Sequence, residues 1–317
     1  MLVSVVLFLA GLALVVVGAD VLVDGASGVA RRVGLSEFVI GLTIVGMGTS
    51  APEMVVSLLG AIEGKGDVAV GNVVGSNIFN TLLILGLTAV LLPIGITSGN
   101  RKRDIPMNLV VTALFIFLGL EATIFGFGTD GLSRIDGFIL IGLFLAYMVY
   151  SFIEGKDDKP AEEESAKKPL WLNILMILGG LAALTFGGDL FVNNATKIAS
   201  ELGVSEKFIA ITILAGGTSL PELATCVAAA AKKKGQLALG NILGSNIFNI
   251  LLILGLSSAI RPLSFENINL VDMGMLLLSA LALIPCVFPK KNRLGLADGI
   301  IFLLIWVGYM AYLIINL

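Results

Sequence analysis

The chain has 317 residues and a net charge of −3, with 57% hydrophobic and 14% charged residues and a mean hydropathy of +1.00. A soluble domain is about one quarter charged, so this composition indicates a membrane protein, and the scattered charges argue against a nucleic-acid-binding surface. No histidine is present, which excludes imidazole metal ligands and leaves an intramembrane enzyme little support.

Stretches of about 18 or more nearly uncharged residues can each span a bilayer as a helix. Breaks at clusters of charges and turn residues predict ten spans, near residues 2–24, 34–61, 68–96, 105–127, 134–153, 169–193, 203–231, 236–260, 267–288 and 295–316. The first run has no basic residue before Leu2, so we expect a first span and not a secretory signal. The strongly polar residues 154–168 are expected to form a cytoplasmic loop.

The two halves of the chain repeat at a constant offset of 169 residues. GTSAPEM at 48–54 recurs as GTSLPEL at 217–223, and GNVVGSNIFN at 71–80 recurs as GNILGSNIFN at 240–249. Chance similarity between apolar helices would reproduce leucine and valine, but not polar residues at fixed spacing. The pattern therefore indicates a duplication.

The predicted topology is that of an inverted repeat. Five spans per half is an odd number, so the second half must enter the membrane from the opposite side. We expect an all-α membrane fold of ten transmembrane helices, with one five-helix repeat at 1–153 and the other at 169–317. Most of the 20 basic residues fall in the inner loops if both termini lie outside the plasma membrane. Such duplications are typical of secondary transporters, whose halves rock around one shared site.

Glu53 and Glu222 are the only carboxylates predicted in the middle of the second and seventh spans. An ionised group at this depth costs about 3 kcal/mol on insertion scales, and no lysine or arginine lies in the middle of these spans to pair with it. Each glutamate follows a proline, Pro52 or Pro221, which cannot donate to the carbonyl four residues earlier. The sequence thus predicts a helix broken beside a carboxylate, with free backbone oxygens that line a cavity or a bound ion.

Further oxygen-bearing side chains accompany the two glutamates. Those predicted on the same helix face, or at helical spacing in the next span, are Thr49, Ser50, Ser76, Asn80, Thr218, Ser219, Ser245 and Asn249. Carboxylates, amides and hydroxyls are ligands for calcium, magnesium or sodium and not for zinc or copper. Cys226 and Cys286 both fall in apolar segments, so neither a disulfide nor a thiolate metal site is expected.

Several polar residues also have a structural interpretation. Ser76 and Ser245 are as well suited to interhelical hydrogen bonding as to ion binding. Asn77 and Asn246 lie off the face of the predicted ligands and are expected to brace helices. The run 232–234 of three lysines is interpreted as a topology signal. The acidic residues expected near span ends, in solvated or capping roles, are Asp20, Asp24 and Asp189.

The paired motifs GTSxPE and GNxxGSNIFN resemble the two alpha repeats of the calcium/cation antiporter superfamily, in particular those of the prokaryotic sodium/calcium exchangers. The resemblance implies ion sites formed by helices 2, 3, 7 and 8, gated by sliding of helices 1 and 6. It implies that Glu53 and Glu222 hold calcium. The other implied contributors to the calcium and sodium sites are Thr49, Ser50, Ser76, Asn80, Thr218, Ser219, Ser245, Asn249 and the carbonyls near Gly46 and Ala215.

The predicted function is sodium/calcium exchange by a monomer that uses no cofactor, with three sodium ions per calcium implied by the resemblance. Proton/calcium exchange is the first alternative, because a buried glutamate can also titrate. The proton-coupled branch usually carries further glutamates where this chain has Asn80 and Asn249, which favours sodium. Several relatives, including potassium-dependent exchangers, carry aspartate at the position of Asn249, so the asparagine disfavours potassium dependence. A cation channel is the second alternative, disfavoured because no ring of subunits is indicated.

Overall fold

The computed structural model describes residues 1–126, 129–154, 168–203, 216–265, 268–288 and 292–316. The chain is mostly helical. Its helices are α1 (Leu2–Val33), α2 (Glu37–Thr49), α3 (Ala51–Glu63), α4 (Gly66–Leu91), α5 (Ile105–Gly119), α6 (Glu121–Phe125), α7 (Arg134–Glu154), α8 (Leu170–Glu201), α9 (Leu220–Ala231), α10 (Gly235–Ile260), α11 (Leu270–Leu281) and α12 (Leu296–Ile315). The polar loop predicted at 154–168 lies outside the described residues except at its two ends.

Seven helical segments in the described part of the chain are long and apolar enough to cross a bilayer. They are α1, α4, α7, α8, α10, Leu270–Val287 and α12. Together α2 and α3 pass the same test as a single span, but they are bent by 49° at their junction. The shorter α9 is also apolar. The protein is therefore a multi-pass membrane protein.

Helices α1 and α8 pack along each other through small residues. A methyl group added at Gly18 would lie 3.0 Å from the Gly180 carbonyl oxygen, and one added at Gly180 would lie 2.8 Å from the Gly18 oxygen. Both helices are longer than the predicted spans at 2–24 and 169–193. Charged side chains do not break a helix, and α1 continues until Gly34, whose left-handed φ of 71° lets its N–H close on the Ala30 carbonyl.

Four strands of two residues each, which the all-α prediction did not include, connect the two halves. They are β1 (Ile94–Gly95), β2 (Gly131–Leu132), β3 (Leu263–Ser264) and β4 (Arg293–Leu294). Antiparallel pairing joins β1 to β4 and β2 to β3. Two residues are too few for alternation to show in a sequence, so pairing with a distant segment defines these strands.

The repeated glycines of α10 and α4 differ in burial. A methyl group added at Gly240 of α10 would collide with the Phe38 carbonyl oxygen of α2, and one at Gly244 would lie 2.6 Å from the Leu42 Cα. The repeat-related glycines of α4, Gly71 and Gly75, are exposed. No atom in the described ranges lies within 4 Å of a methyl group added at either. Helix α10 is therefore in backbone contact with α2, whereas the corresponding glycines of α4 are exposed; most of the segment equivalent to α2 by the repeat offset lies outside the described residues.

An ion-pair cluster ties α1 to the end of α9. The Lys232 Nζ lies 2.7 Å from a carboxylate oxygen of Asp20 and 2.7 Å from one of Asp24, and it donates to the Asp20 backbone oxygen at 2.9 Å. The two aspartates are partly solvated, as expected, but they also hold Lys232. The interpretation of Lys232 as a topology signal alone is thus incomplete, because its partners come from a helix that is distant in sequence.

Lys232→Gln is expected to lower the melting temperature in detergent by about 2 °C at pH 7.5, since exposed ion pairs stabilise by up to about 1 kcal/mol. Partial burial disfavours the charged lysine, but Asp20 and Asp24 outweigh this and raise the pKa of Lys232. The ion pairs therefore stabilise the fold fully below the ordinary lysine pKa of about 10.4, and this contribution is lost as the pH rises through the raised value. Differential scanning fluorimetry at several pH values measures the difference.

The matched control for this substitution is Lys233→Gln, at the exposed neighbouring residue. Its melting temperature should equal that of the wild type at each pH. An equal loss in both variants would mean that α1 is not held by the Lys232 cluster.

Candidate cation site

Glu53 and Glu222 each lie in the first turn of a helix that begins at a chain bend or turn. Glu53 follows the 49° break at Ser50 and is the third residue of α3, and Glu222 follows a turn and is the third residue of α9. A proline in a first turn replaces an N–H that has no helical partner, and the N-terminal end of the helix dipole favours a negative charge. Both glutamates are buried, at 1% and 0% exposure. The predicted helix break beside Glu53 is confirmed.

Each carboxylate is held by a serine of the other repeat. The Ser50 hydroxyl donates to Glu222 Oε1 at 2.8 Å, and the Ser219 hydroxyl donates to Glu53 Oε1 at 2.9 Å. Each serine is the residue before its helix, three positions ahead of the glutamate of its own repeat, and yet its hydroxyl donates to the glutamate of the other repeat.

Helices α4 and α10 bring a second serine to each carboxylate. Ser76 donates to Glu53 Oε1 at 3.3 Å, and Ser245 donates to Glu222 Oε1 at 3.4 Å. Ser76 and Ser245 thus contact the glutamates directly and do more than join helices. Among the predicted threonines, the hydroxyl of Thr218 lies beside Glu53 and that of Thr49 lies beside Glu222.

Four buried oxygen atoms around these groups accept no hydrogen bond in the described structure. They are Oε2 of Glu53, Oε2 of Glu222, Oδ1 of Asn80 and Oδ1 of Asn249. A buried acceptor without a partner costs about 1–3 kcal/mol. Asn80 and Asn249 lie one helical turn beyond Ser76 and Ser245, on the same helix faces. Carboxylate and amide oxygens of this kind are the ligands that calcium and sodium prefer.

Of the two predicted backbone ligands, the structure describes only the Gly46 carbonyl. The Gly46 carbonyl oxygen is not free, because it accepts hydrogen bonds from the Ser50 N–H at 3.1 Å, the Ser245 hydroxyl at 3.3 Å and the Thr49 hydroxyl at 3.4 Å. Ala215 lies outside the described residues.

Two asparagines that the sequence analysis did not single out form hydrogen bonds with residues of the site or with their neighbours. Asn72 donates to the Glu53 backbone oxygen at 3.1 Å and to Ser57 at 3.0 Å. Asn241 accepts from the Thr49 hydroxyl at 3.2 Å and donates to Cys226 at 3.4 Å. The available signal was that both asparagines belong to the repeated GNxxG motif, in which a polar residue recurs at the same offset inside an apolar helix.

Comparison with known proteins identifies the family. A family model described as "Sodium/calcium exchanger protein" matches residues 3–153 and 172–315. The chain belongs to the sodium/calcium exchanger family. This confirms the resemblance seen in the paired motifs, and members of the family are transporters of sodium and calcium ions.

Relatives of this exchanger match it over nearly their whole length. A putative antiporter, CaxA, of Alkalimonas amylolytica is 39% identical over 98% of both chains. The sodium/calcium exchanger MaX1 of Methanosarcina acetivorans is 32% identical over 98% of both chains. A structure of the sodium-calcium exchanger NCX_Mj soaked with Na+ and Sr2+ superposes with a TM-score of 0.84 and 35% identity, and covers 98% of both chains.

Proposed function

We propose that this exchanger moves calcium against sodium across the membrane by alternating access to a site centred on Glu53 and Glu222. The observation that carries the proposal is the pair of buried carboxylates, each held through Oε1 by serines of both repeats and each left with a buried, unpartnered Oε2. No described lysine or arginine pairs with either glutamate, so a bound cation supplies the compensating charge.

The proposed calcium ligands are the free oxygens of Glu53 and Glu222, together with hydroxyls of the threonines and serines around them. The remaining positions proposed for sodium and calcium are Thr49, Ser50, Ser76, Asn80, Thr218, Ser219, Ser245, Asn249 and the carbonyls of Gly46 and Ala215. The Gly46 carbonyl would have to give up some of its present hydrogen bonds to bind an ion.

The charge of the site accounts for exchange. One calcium ion neutralises two carboxylates, and sodium ions can replace calcium but cannot share the full site with it. A neutralised site can cross the apolar interior as the protein reorients, whereas an empty site would carry two unpaired charges and is held back. Sodium moving down its gradient therefore drives calcium in the opposite direction.

The proposed architecture has ten transmembrane helices in two inverted repeats, at 1–153 and 169–317, with both termini outside the cell. The constant repeat offset, the basic residues of the predicted inner loops and the bent α2–α3 span support it. Monomeric function is supported because both glutamates and all the described hydroxyls around them come from one chain.

The test is uptake of radiolabelled calcium into proteoliposomes that contain the purified protein. Uptake should require internal sodium and should stop when the sodium gradient is collapsed. Uptake driven by an imposed pH gradient in sodium-free vesicles would assign the protein to proton/calcium exchange. Uptake that needs neither gradient would indicate a channel.

A further inference from the structure

A site that binds a cation through asparagine must control the orientation of the amide. The Oδ1 atom attracts a cation, but the NH2 group of the same amide repels it. The last torsion of an asparagine side chain is broad and roughly two-fold, so the side chain alone does not select between the two orientations. An aspartate in the same place presents oxygen either way.

The NH2 groups of the two site amides are both held by asparagines of the other repeat. Asn249 donates from Nδ2 to Asn77 Oδ1 at 3.0 Å, and Asn80 donates from Nδ2 to Asn246 Oδ1 at 3.2 Å. The Oδ1 atoms of Asn80 and Asn249 are left buried and without a hydrogen bond in the described structure. Both amides thus direct NH2 toward a partner and leave oxygen available.

The partner asparagines are themselves fixed. Asn77 donates from Nδ2 to the Asn246 backbone oxygen at 3.0 Å, and Asn246 donates from Nδ2 to the Thr81 hydroxyl at 2.8 Å. A flip of Asn77 would break its bond to this carbonyl and bring two NH2 groups together at Asn249. All four asparagines are at most 2% exposed, so water does not compete for these bonds.

We propose that Asn77 and Asn246 are positioning residues that keep the carbonyl oxygens of Asn249 and Asn80 directed at the transported cation. The proposal rests on the proposed function. The Oδ1 atoms of Asn77 and Asn246 each already accept a hydrogen bond from a site amide, whereas the Oδ1 atoms of Asn80 and Asn249 accept none in the described structure. The role of Asn77 and Asn246 exceeds the helix bracing expected from the sequence, because each determines which atom a ligand amide presents.

The test is a double-mutant cycle between Asn77 and Asn249. Asn77→Leu should raise the calcium concentration for half-maximal uptake by about tenfold, because the freed Asn249 amide can turn its NH2 toward the ion. In an Asn249→Asp background the same Asn77→Leu change should alter calcium affinity by less than about twofold, since a carboxylate needs no orienting partner. A second cycle pairs Asn246→Leu with Asn80→Asp.

Calcium affinity is also measured from the calcium dependence of the melting temperature in detergent, so a variant that binds without transporting still completes the cycle. Asn108→Leu, at a buried asparagine of α5, is the control. It should leave the calcium dependence unchanged in both backgrounds. Equal losses of affinity from Asn77→Leu in the wild-type and Asn249→Asp backgrounds would overturn the proposal and make Asn77 purely structural. A wild-type protein that shows neither sodium-dependent uptake nor stabilisation by calcium would instead refute the proposed function.

Discussion

Glu53→Gln and Glu222→Gln are each expected to abolish sodium-dependent calcium uptake. Removing one partner from a buried, compensated charge arrangement costs about 3 kcal/mol or more, which is over about 100-fold in affinity. Glutamine preserves the size of the side chain and can still accept a hydrogen bond from Ser219 or Ser50 through its amide oxygen. The loss should therefore come from the missing charge and not from misfolding. Radiolabelled calcium uptake into sodium-loaded proteoliposomes measures it.

The same variants should differ from the wild type in thermal stability. Without ions, the wild type holds two like charges in an apolar interior, so either glutamine variant should melt at the same temperature or higher. Calcium should raise the melting temperature of the wild type but not of the variants. Glu63→Gln, at an exposed residue that pairs with Lys65, should behave as the wild type in both assays. Retained uptake by both Glu53→Gln and Glu222→Gln would contradict the site assignment.

The composition of the site could be predicted from sequence, but its arrangement could not. A glutamate inside an apolar run stands out because burial without compensation is costly, and the repeat identifies Glu53 and Glu222 together. The donation from Ser50 to Glu222 leaves no such signal. Helical spacing relates a residue only to its own helix, and the chain bends at Ser50, where that spacing ends.

Tertiary contacts also explain the errors in helix length and in the roles of charged residues. Asp20 and Asp24 suggested a span end, yet both lie within α1, which continues to Val33, and their carboxylates pair with Lys232. The unequal packing of α4 and α10 could not be predicted either. The two helices carry nearly the same motif, so their sequences do not indicate that the glycines of α10 are buried against α2 while those of α4 are exposed.

Gly244→Ala is expected to lower the melting temperature by about 5 °C, since overpacking a tight contact costs about 1–3 kcal/mol. The added methyl group would lie 2.6 Å from the Leu42 Cα, so α10 and α2 would have to separate. The repeat-related change, Gly75→Ala, places a methyl group where no described atom lies within 4 Å. Alanine also favours a helix by up to about 1 kcal/mol over glycine, so this variant should melt at the wild-type temperature or slightly above.

Gly75→Ala, which should leave the melting temperature unchanged or slightly raised, is expected to impair transport. If alternating access exchanges the packing of the repeats, the exposed glycines of α4 must at some stage make the backbone contact that the glycines of α10 make here. Gly75→Ala would obstruct that contact and should slow calcium uptake by at least about tenfold, because a similar overpacking cost then falls on one conformation alone. Wild-type uptake by Gly75→Ala would mean that α4 never adopts the close packing of α10, and that the two halves do not exchange roles during transport.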